Sequence, residues 1–184
     1  MSSNAPLAAP AAWVSEHLDA LRDASSLGPV VDLASGRGRN ALFVAGTGTP
    51  VIAVDRNADH LRELHVAATR AGSPVIPVRC DLETQYEIPI VPGSCGAILV
   101  FRFLFRPLAG AIERALAPGG LLLYETFSMQ HRETGRGPRR EAFYLASGEL
   151  PSLFPNLDVI AHAEGPDGGS PPDITARLAA RKPG

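Results

Sequence analysis

The chain has 184 residues, 45% of them hydrophobic and 20% charged, with a formal net charge of −2. That suits one soluble domain with one core, and it is far from the basic field of a nucleic-acid binder. No apolar run approaches 18 residues, which argues against a membrane span. Basic leader residues are absent from the start, and Pro6 and Pro10 interrupt it, so no signal peptide is expected. The basic residues are 16 Arg and one Lys, Lys182, which leaves almost no place for a lysine nucleophile.

Residues 1–10 are rich in Ala, Pro and Ser and read as a flexible arm before a domain of residues 11–184. From Trp13 to Asp23, Val14, Leu18 and Leu21 recur with helical spacing. Val30, Val31 and Leu33 form a short β-branched run typical of a buried parallel strand. The run stops at Ser35, Gly36, Arg37 and Gly38, and helical spacing resumes from Asn40 to Val44. A strand that turns through glycines into a helix gathers backbone N–H groups beside the strand end, ready for a nucleotide-like ligand. A second apolar strand, Val51 to Asp55, ends in a carboxylate. Asp55 follows Gly38 at close to the roughly 20-residue offset of a ribose-binding acid.

Asn57 is a good N-cap for a helix over Ala58 to Ala71, which Gly72 closes. Val75 to Cys80 reads as the third strand and Ser94 to Phe101 as the fourth. Pro107 suits the first turn of a helix running to about Ala117. Leu121 to Tyr124 is a fifth strand, and Leu157 to Ala163 and Ile174 to Arg181 are the last two. Between them lie a polar, Arg-rich loop (131–140), a mixed helical stretch (141–154) and a Gly/Pro loop (165–172). This alternation points to an α/β sheet, mostly parallel, with helices on both faces. Cys80 and Cys95 fall on the third and fourth strands, so neither a disulfide nor a zinc site is expected, and no metal is assigned.

The glycine pattern departs from the dinucleotide fingerprint. Ala34 and Ala41 stand where two of its three glycines would be, and Asp32 ends the strand before the turn. The stretch Asp32 to Gly38 instead resembles motif I of the class I S-adenosylmethionine-dependent methyltransferases. Val54-Asp55 resembles their second motif, Cys80-Asp81-Leu82 their third, and Ala117 to Leu121 the Pro-Gly-Gly turn before their fifth strand. The resemblance covers about residues 12–181. Phe101 to Leu108, Leu123 to Phe127 and Gly148 to Leu150 look like a small bacterial group related to the tellurite-resistance type, many members of which have His where Phe105 stands.

The resemblance implies a single Rossmann-like, doubly wound sheet of seven strands, ordered 3-2-1-4-5-7-6 with strand 7 antiparallel. It implies S-adenosyl-L-methionine as cofactor and methyl transfer to a small-molecule acceptor. By that likeness Ala34, Ser35, Gly36 and Gly38 would run along the methionine and ribose, with Asp32 near the ammonium. Asp55 would accept the ribose hydroxyls, Arg56 would cover the adenine, and Asp81 and Leu82 would meet its edge, though Asp81 also reads as a plain turn residue. Phe101 and Arg102 would border the methionine end. Arg102, Arg106, Glu125 and Arg136 are substrate candidates, and His131 and Tyr124 are candidate catalytic groups. Two readings stand for each of three features: Arg106 contacts substrate or pairs with Glu125 or Glu141, the loop at 131–140 is an anion clamp or a mobile lid, and Trp13 and His17 pack or reach the opening. A cytoplasmic monomer or homodimer is expected, with neither nucleic acid nor membrane as partner. Rival readings are a catalytically silent cofactor-binding regulator and an NAD(P)-dependent oxidoreductase.

Overall fold

The computed structural model describes residues 8–84 and 86–184. The proposed arm lies mostly outside the described residues; residues 8–10 have no regular structure. Seven strands form one sheet: β1 (Val30–Leu33), β2 (Val51–Asp55), β3 (Val75–Arg79), β4 (Cys95–Phe101), β5 (Leu116–Phe127), β6 (Asp158–Pro166) and β7 (Ile174–Arg181). Their order is 3-2-1-4-5-7-6. β1 to β5 pair in parallel, and β7 runs antiparallel to both β5 and β6. This is the expected topology.

β4 is buried along its whole length, because it lies at the centre with helices on both faces. On one face Val30, Ala97, Leu99, Leu121 and Leu123 pack against helices α1 (Ala12–Glu16), α2 (Leu18–Ala24), α3 (Arg39–Ala45) and α4 (Ala58–Ala71). On the other, Val31, Leu33, Ile98, Val100 and Tyr124 pack against α5 (Ala109–Ala115) and α6 (Glu149–Ser152) with its neighbour Phe154. Strand side chains alternate between faces, which sends Asp32 toward α3 and Tyr124 toward α5 and α6.

α4 begins and ends as its sequence dictates. The Asn57 side chain accepts from the N–H groups of Asp59 and His60, and Gly72 closes the helix in the left-handed region. Other elements differ from the sequence expectation. The first helix breaks at His17 into α1 and α2; the His17 ring stacks near Trp13 (4.3 Å) and Nδ1 meets the Trp13 carbonyl. Trp13 donates to the Leu178 carbonyl, so both residues pack. The helix expected from Pro107 starts as a 3₁₀ turn, Arg106–Leu108, before α5.

β5 begins at Leu116, before the Pro-Gly-Gly turn, and its register with β4 shifts between Cys95 and Ala97. The turn is held by the other end of the chain. Lys182 donates through Nζ to the carbonyls of Glu113 and Leu116, and Arg181 donates to that of Gly119. Gly96 stands here because a side chain would strike the Ala24 carbonyl, 2.1 Å from where its Cβ would lie. Cys80 and Cys95 are free thiols on opposite sides of β1 and β2. No helix among the described residues is long and apolar enough to cross a membrane.

Candidate functional site

The carboxyl ends of five strands, taken in sheet order, border one cavity of about 310 Å³. After β3 it meets Cys80, Asp81, Leu82 and Glu83; at the end of β2, Asp55 and Arg56; after β1, Ala34. Beyond β4 come Arg102, Phe103 and Leu104, and at the end of β5, Thr126 and Phe127, with Pro138 and Phe143 closing the far side. Ligands of open α/β sheets bind in this crevice, where neighbouring crossovers diverge to opposite faces.

The turn after β1 is built from local constraints. Ala34 and Gly36 both take left-handed φ, near 55° and 56°. Gly38 takes a φ of 79° at the start of α3, and a side chain there would meet Leu64 Cδ1 at 2.3 Å. This brings α3 close against α4 and aims the turn at Asp55. Asp55 Oδ2 accepts from Gly36 N–H at 2.7 Å and Oδ1 from Asn57 N–H at 2.8 Å. A carboxylate offers about four acceptor sites, so the same group retains room for two hydroxyl donors. The Ser35 hydroxyl is buried and has no hydrogen-bond partner among the described residues. Asp81 Oδ1 accepts from Glu83 N–H, and Arg56 pairs with Glu83 at 2.9 Å beside it.

Asp32 does not line the cavity. It is buried on the α3 face, where Oδ2 accepts from Ala41 N–H at 3.1 Å. Burial pushes its carboxyl up to about 7, opposed by that hydrogen bond and by Arg39. Phe101 also packs in the core rather than lining the cavity, and its place is taken by Phe103 and Leu104.

The acceptor-side candidates are placed differently from expectation. Tyr124 is buried in the core and donates to the Phe103 carbonyl at 3.0 Å, and burial holds its hydroxyl well above the usual phenol range. His131 is wholly buried rather than exposed. It stacks on Phe127 at 4.6 Å, and Nδ1 accepts from Ile174 N–H at 3.0 Å. That acceptance places the proton of the neutral ring on Nε2, and burial lowers its pKa. Neither residue borders the cavity.

Arg106 is fully employed by structure. It makes a two-pronged pair with Glu149, and it donates to the carbonyls of Ala142 and Tyr144. Its partner is neither Glu125 nor Glu141. The bond to Arg106 in turn holds the Glu149 carboxyl below the ordinary range. The loop at 131–140 is held in place rather than free. It begins in a 3₁₀ helix, Met129–Thr134; Tyr144 donates to the Pro138 carbonyl, Arg132 pairs with Glu141, and Arg136 donates to the Pro172 carbonyl.

Arg102 does border the cavity, with a φ of 58° and its N–H on the Glu125 carbonyl. Its side chain meets Asp167 at 2.6 Å and Glu125 and Asp173 at 3.3 Å each. Burial raises the Glu125 carboxyl, and Arg102 opposes the rise. Asp167, Asp173 and Glu149 carried no expected role. Asp167 and Asp173 flank a Gly/Pro loop and Glu149 follows a glycine, which are the only signals the sequence offers for them.

Comparison with known proteins agrees with this geometry. A family model described as tellurite resistance protein TehB matches residues 11–77. The chain has the class I methyltransferase fold, with a tellurite-resistance-type signature in its N-terminal part. TehB from Haemophilus influenzae superposes with a TM-score of 0.68 at 18% identity, covering 89% of this chain and 61% of that one. This chain therefore spans less than two thirds of that protein. A SAM-dependent methyltransferase from Methanosarcina mazei gives 0.70 at 16% identity, covering 84% and 92%. The [4+2]-cyclase SpnF gives 0.70 at 14% identity, covering 98% and 85%, so the fold also houses other chemistry. No curated protein matches the sequence.

Proposed function

We propose that the protein is an S-adenosyl-L-methionine-dependent methyltransferase acting on a small-molecule acceptor. The observation that carries this is the pairing of Asp55 with the glycine turn inside one strand-end cavity. The acid accepts from Gly36 N–H and keeps acceptor sites for a ribose diol, while Asp81 and Leu82 stand on the same wall. Gly36 has open space where a side chain would lie, and the buried Ser35 hydroxyl beside it has no partner among the described residues.

In this reading Ala34, Ser35, Gly36, Asp55 and Arg56 hold the cofactor's sugar side, and Asp81 and Leu82 its base. When bound, the cofactor would supply a methyl group activated by its sulfonium: an acceptor lone pair would bond to the methyl carbon in line as the C–S bond breaks, with S-adenosylhomocysteine as the leaving group. The chain's own contribution is then mainly placement. Phe103, Phe127, Pro138 and Phe143 form an apolar wall that excludes water at the acceptor end. No imidazole lines the cavity among the described residues, which suits an acceptor needing no strong base. Asp32 acts at one remove: its carboxyl anchors the first turn of α3 behind the glycine turn.

The acidic balance of the chain favours neither nucleic acid nor an anionic surface. The oxidoreductase alternative lacks two of its three glycines, at Ala34 and Ala41. Thermal unfolding with S-adenosylmethionine, S-adenosylhomocysteine, NAD and NADP in parallel tests the reading. At about 100 times its dissociation constant a ligand adds roughly 2.7 kcal/mol, or about 5–10 °C for a domain of this size. A shift with the adenosyl sulfur ligands alone is expected; a shift with a nicotinamide alone would overturn the proposal.

A further inference from the structure

Two guanidiniums border the cavity, and they are held in different ways. Arg56 is largely exposed and pairs with one carboxylate, Glu83. Arg102 is mostly buried and lies among three: Glu125 from β5, and Asp167 and Asp173 from the connection between β6 and β7. That connection folds around Asp167. Oδ1 accepts from the N–H groups of Gly169 (2.9 Å) and Asp173 (3.0 Å), and the Asp167 N–H donates to the Asp173 carbonyl. Oδ2 is left for Arg102 Nη2, at 2.6 Å. The same guanidinium carbon lies 4.7 Å over the Phe127 ring, so the group is laid flat on the cavity wall.

We propose that Asp167 and Asp173 are specificity-determining residues: with Glu125 they gather three carboxylates around Nη2 of Arg102 and so exclude oxyanion acceptors, and this end takes an uncharged, flat acceptor. The assignment rests on the methyltransferase reading only in taking this end of the cavity as the acceptor's. Nη1 of Arg102 is buried without a partner among the described residues, and an oxyanion approaching it would face the three carboxylates gathered on Nη2. The other cation nearby, Arg136, stands 3.8 Å from Asp173 and is itself bonded to the Pro172 carbonyl. His131 Nε2 lies 3.5 Å from Asp173 in a ring that burial keeps neutral, so it adds no positive charge. An uncharged ring meets none of these obstacles. It finds Phe103 and Phe143 as apolar lining of the cavity, while the Phe127 ring is already engaged by the Arg102 guanidinium and the His131 ring.

The test uses two probes of equal shape, benzamide and benzoate, titrated by ligand-observed NMR into protein saturated with S-adenosylhomocysteine and into the free protein. Wild type is expected to bind benzamide about tenfold or more tighter than benzoate. In the Asp167→Asn/Asp173→Asn double variant benzoate should gain about tenfold, with benzamide unchanged. Asn at 167 keeps an oxygen for the Gly169 and Asp173 N–H groups, so the loop retains its closure. If that variant does not fold, Asp173→Asn alone, at a part-exposed side chain, should still give part of the gain. Adding Arg102→Gln should abolish it. Equal binding of the probes by wild type, binding of neither, or a folded variant with no gain for benzoate would each overturn the assignment. Failure of S-adenosylhomocysteine to bind would instead strike the methyltransferase reading, since probe selectivity is also read on the free protein.

Discussion

The two ends of the cavity are built on different principles. The end formed by β1, β2 and β3 uses contacts of shorter sequence separation: Asp55 reaches Asn57 and, 19 residues back, Gly36, Asp81 reaches Glu83, and the Gly38 turn leads straight into α3. The end formed by β4, β5 and β7 uses long-range ion pairs and hydrogen bonds: Arg102 pairs with Asp167, Arg106 pairs with Glu149, and His131 accepts from the Ile174 N–H. The first end presents acceptor groups with capacity to spare. The second has nearly exhausted its charged groups on itself. The first end is thus closed by nearby connections, whereas the second is assembled from segments far apart in the chain.

The comparison can be broken at either end. The largest effect is expected at the turn. Gly38→Val places a branched side chain in the left-handed region against Leu64 Cδ1, 2.3 Å from the new Cβ. It should cost about 3 kcal/mol, read as a fall in the thermal midpoint. If stability is unchanged, the turn is not held by the packing of α3 on α4.

Next is a pH effect from Asp32. Its folded pKa is raised to about 7, so between roughly pH 4 and pH 7 the folded chain holds a proton the unfolded chain has released. Stability from this group is present at low pH and is lost as pH rises to about 7. Asp32→Asn should flatten that slope in denaturant titrations across this range. A slope identical to wild type would remove Asp32 as its source.

At the acceptor end, Arg106→Ala should lower stability by about 2 kcal/mol, because it unpins the segment from Ala142 to Glu149 and leaves Glu149 without its partner. The loss should shrink in acid. Glu149 is held below the ordinary carboxylate range, so its contribution is present above that range and disappears as pH falls through the lowered pKa. The smallest effect is expected from Arg136→Ala, whose side chain is exposed and bound to one carbonyl; about 0.5 kcal/mol or less should be lost. A large loss there would show that the Arg-rich loop carries more of the acceptor end than its contacts suggest.

What the sequence revealed follows the same division. The caps of α4 and the bounds of β7 were legible because Asn57, Gly72 and apolar runs act locally, while the order of the seven strands came from the motif resemblance. So was the clustering of Ala34, Asp55, Arg56, Asp81 and Leu82, which lie at strand ends in motif order. Arg102 was expected at the cavity and is there, but its three carboxylate partners were not foreseen. Nothing near Asp167 or Asp173 in sequence announces a guanidinium at position 102. His131 reads as a surface base because its neighbours are polar. It is buried because Phe127 stacks on it and Ile174, on the returning strand, claims Nδ1. Tyr124 was misplaced by one step of alternation: strand ends lie at the cavity, but its side chain points to the α5 face.

The central claim is that the short-range end holds an adenosyl cofactor through Asp55. Isothermal titration of S-adenosylhomocysteine into wild type and Asp55→Ala tests it most directly. Wild type should bind, and the variant should lose about 100-fold in affinity, near 3 kcal/mol, while remaining folded. Equal affinity in the two proteins would contradict the account.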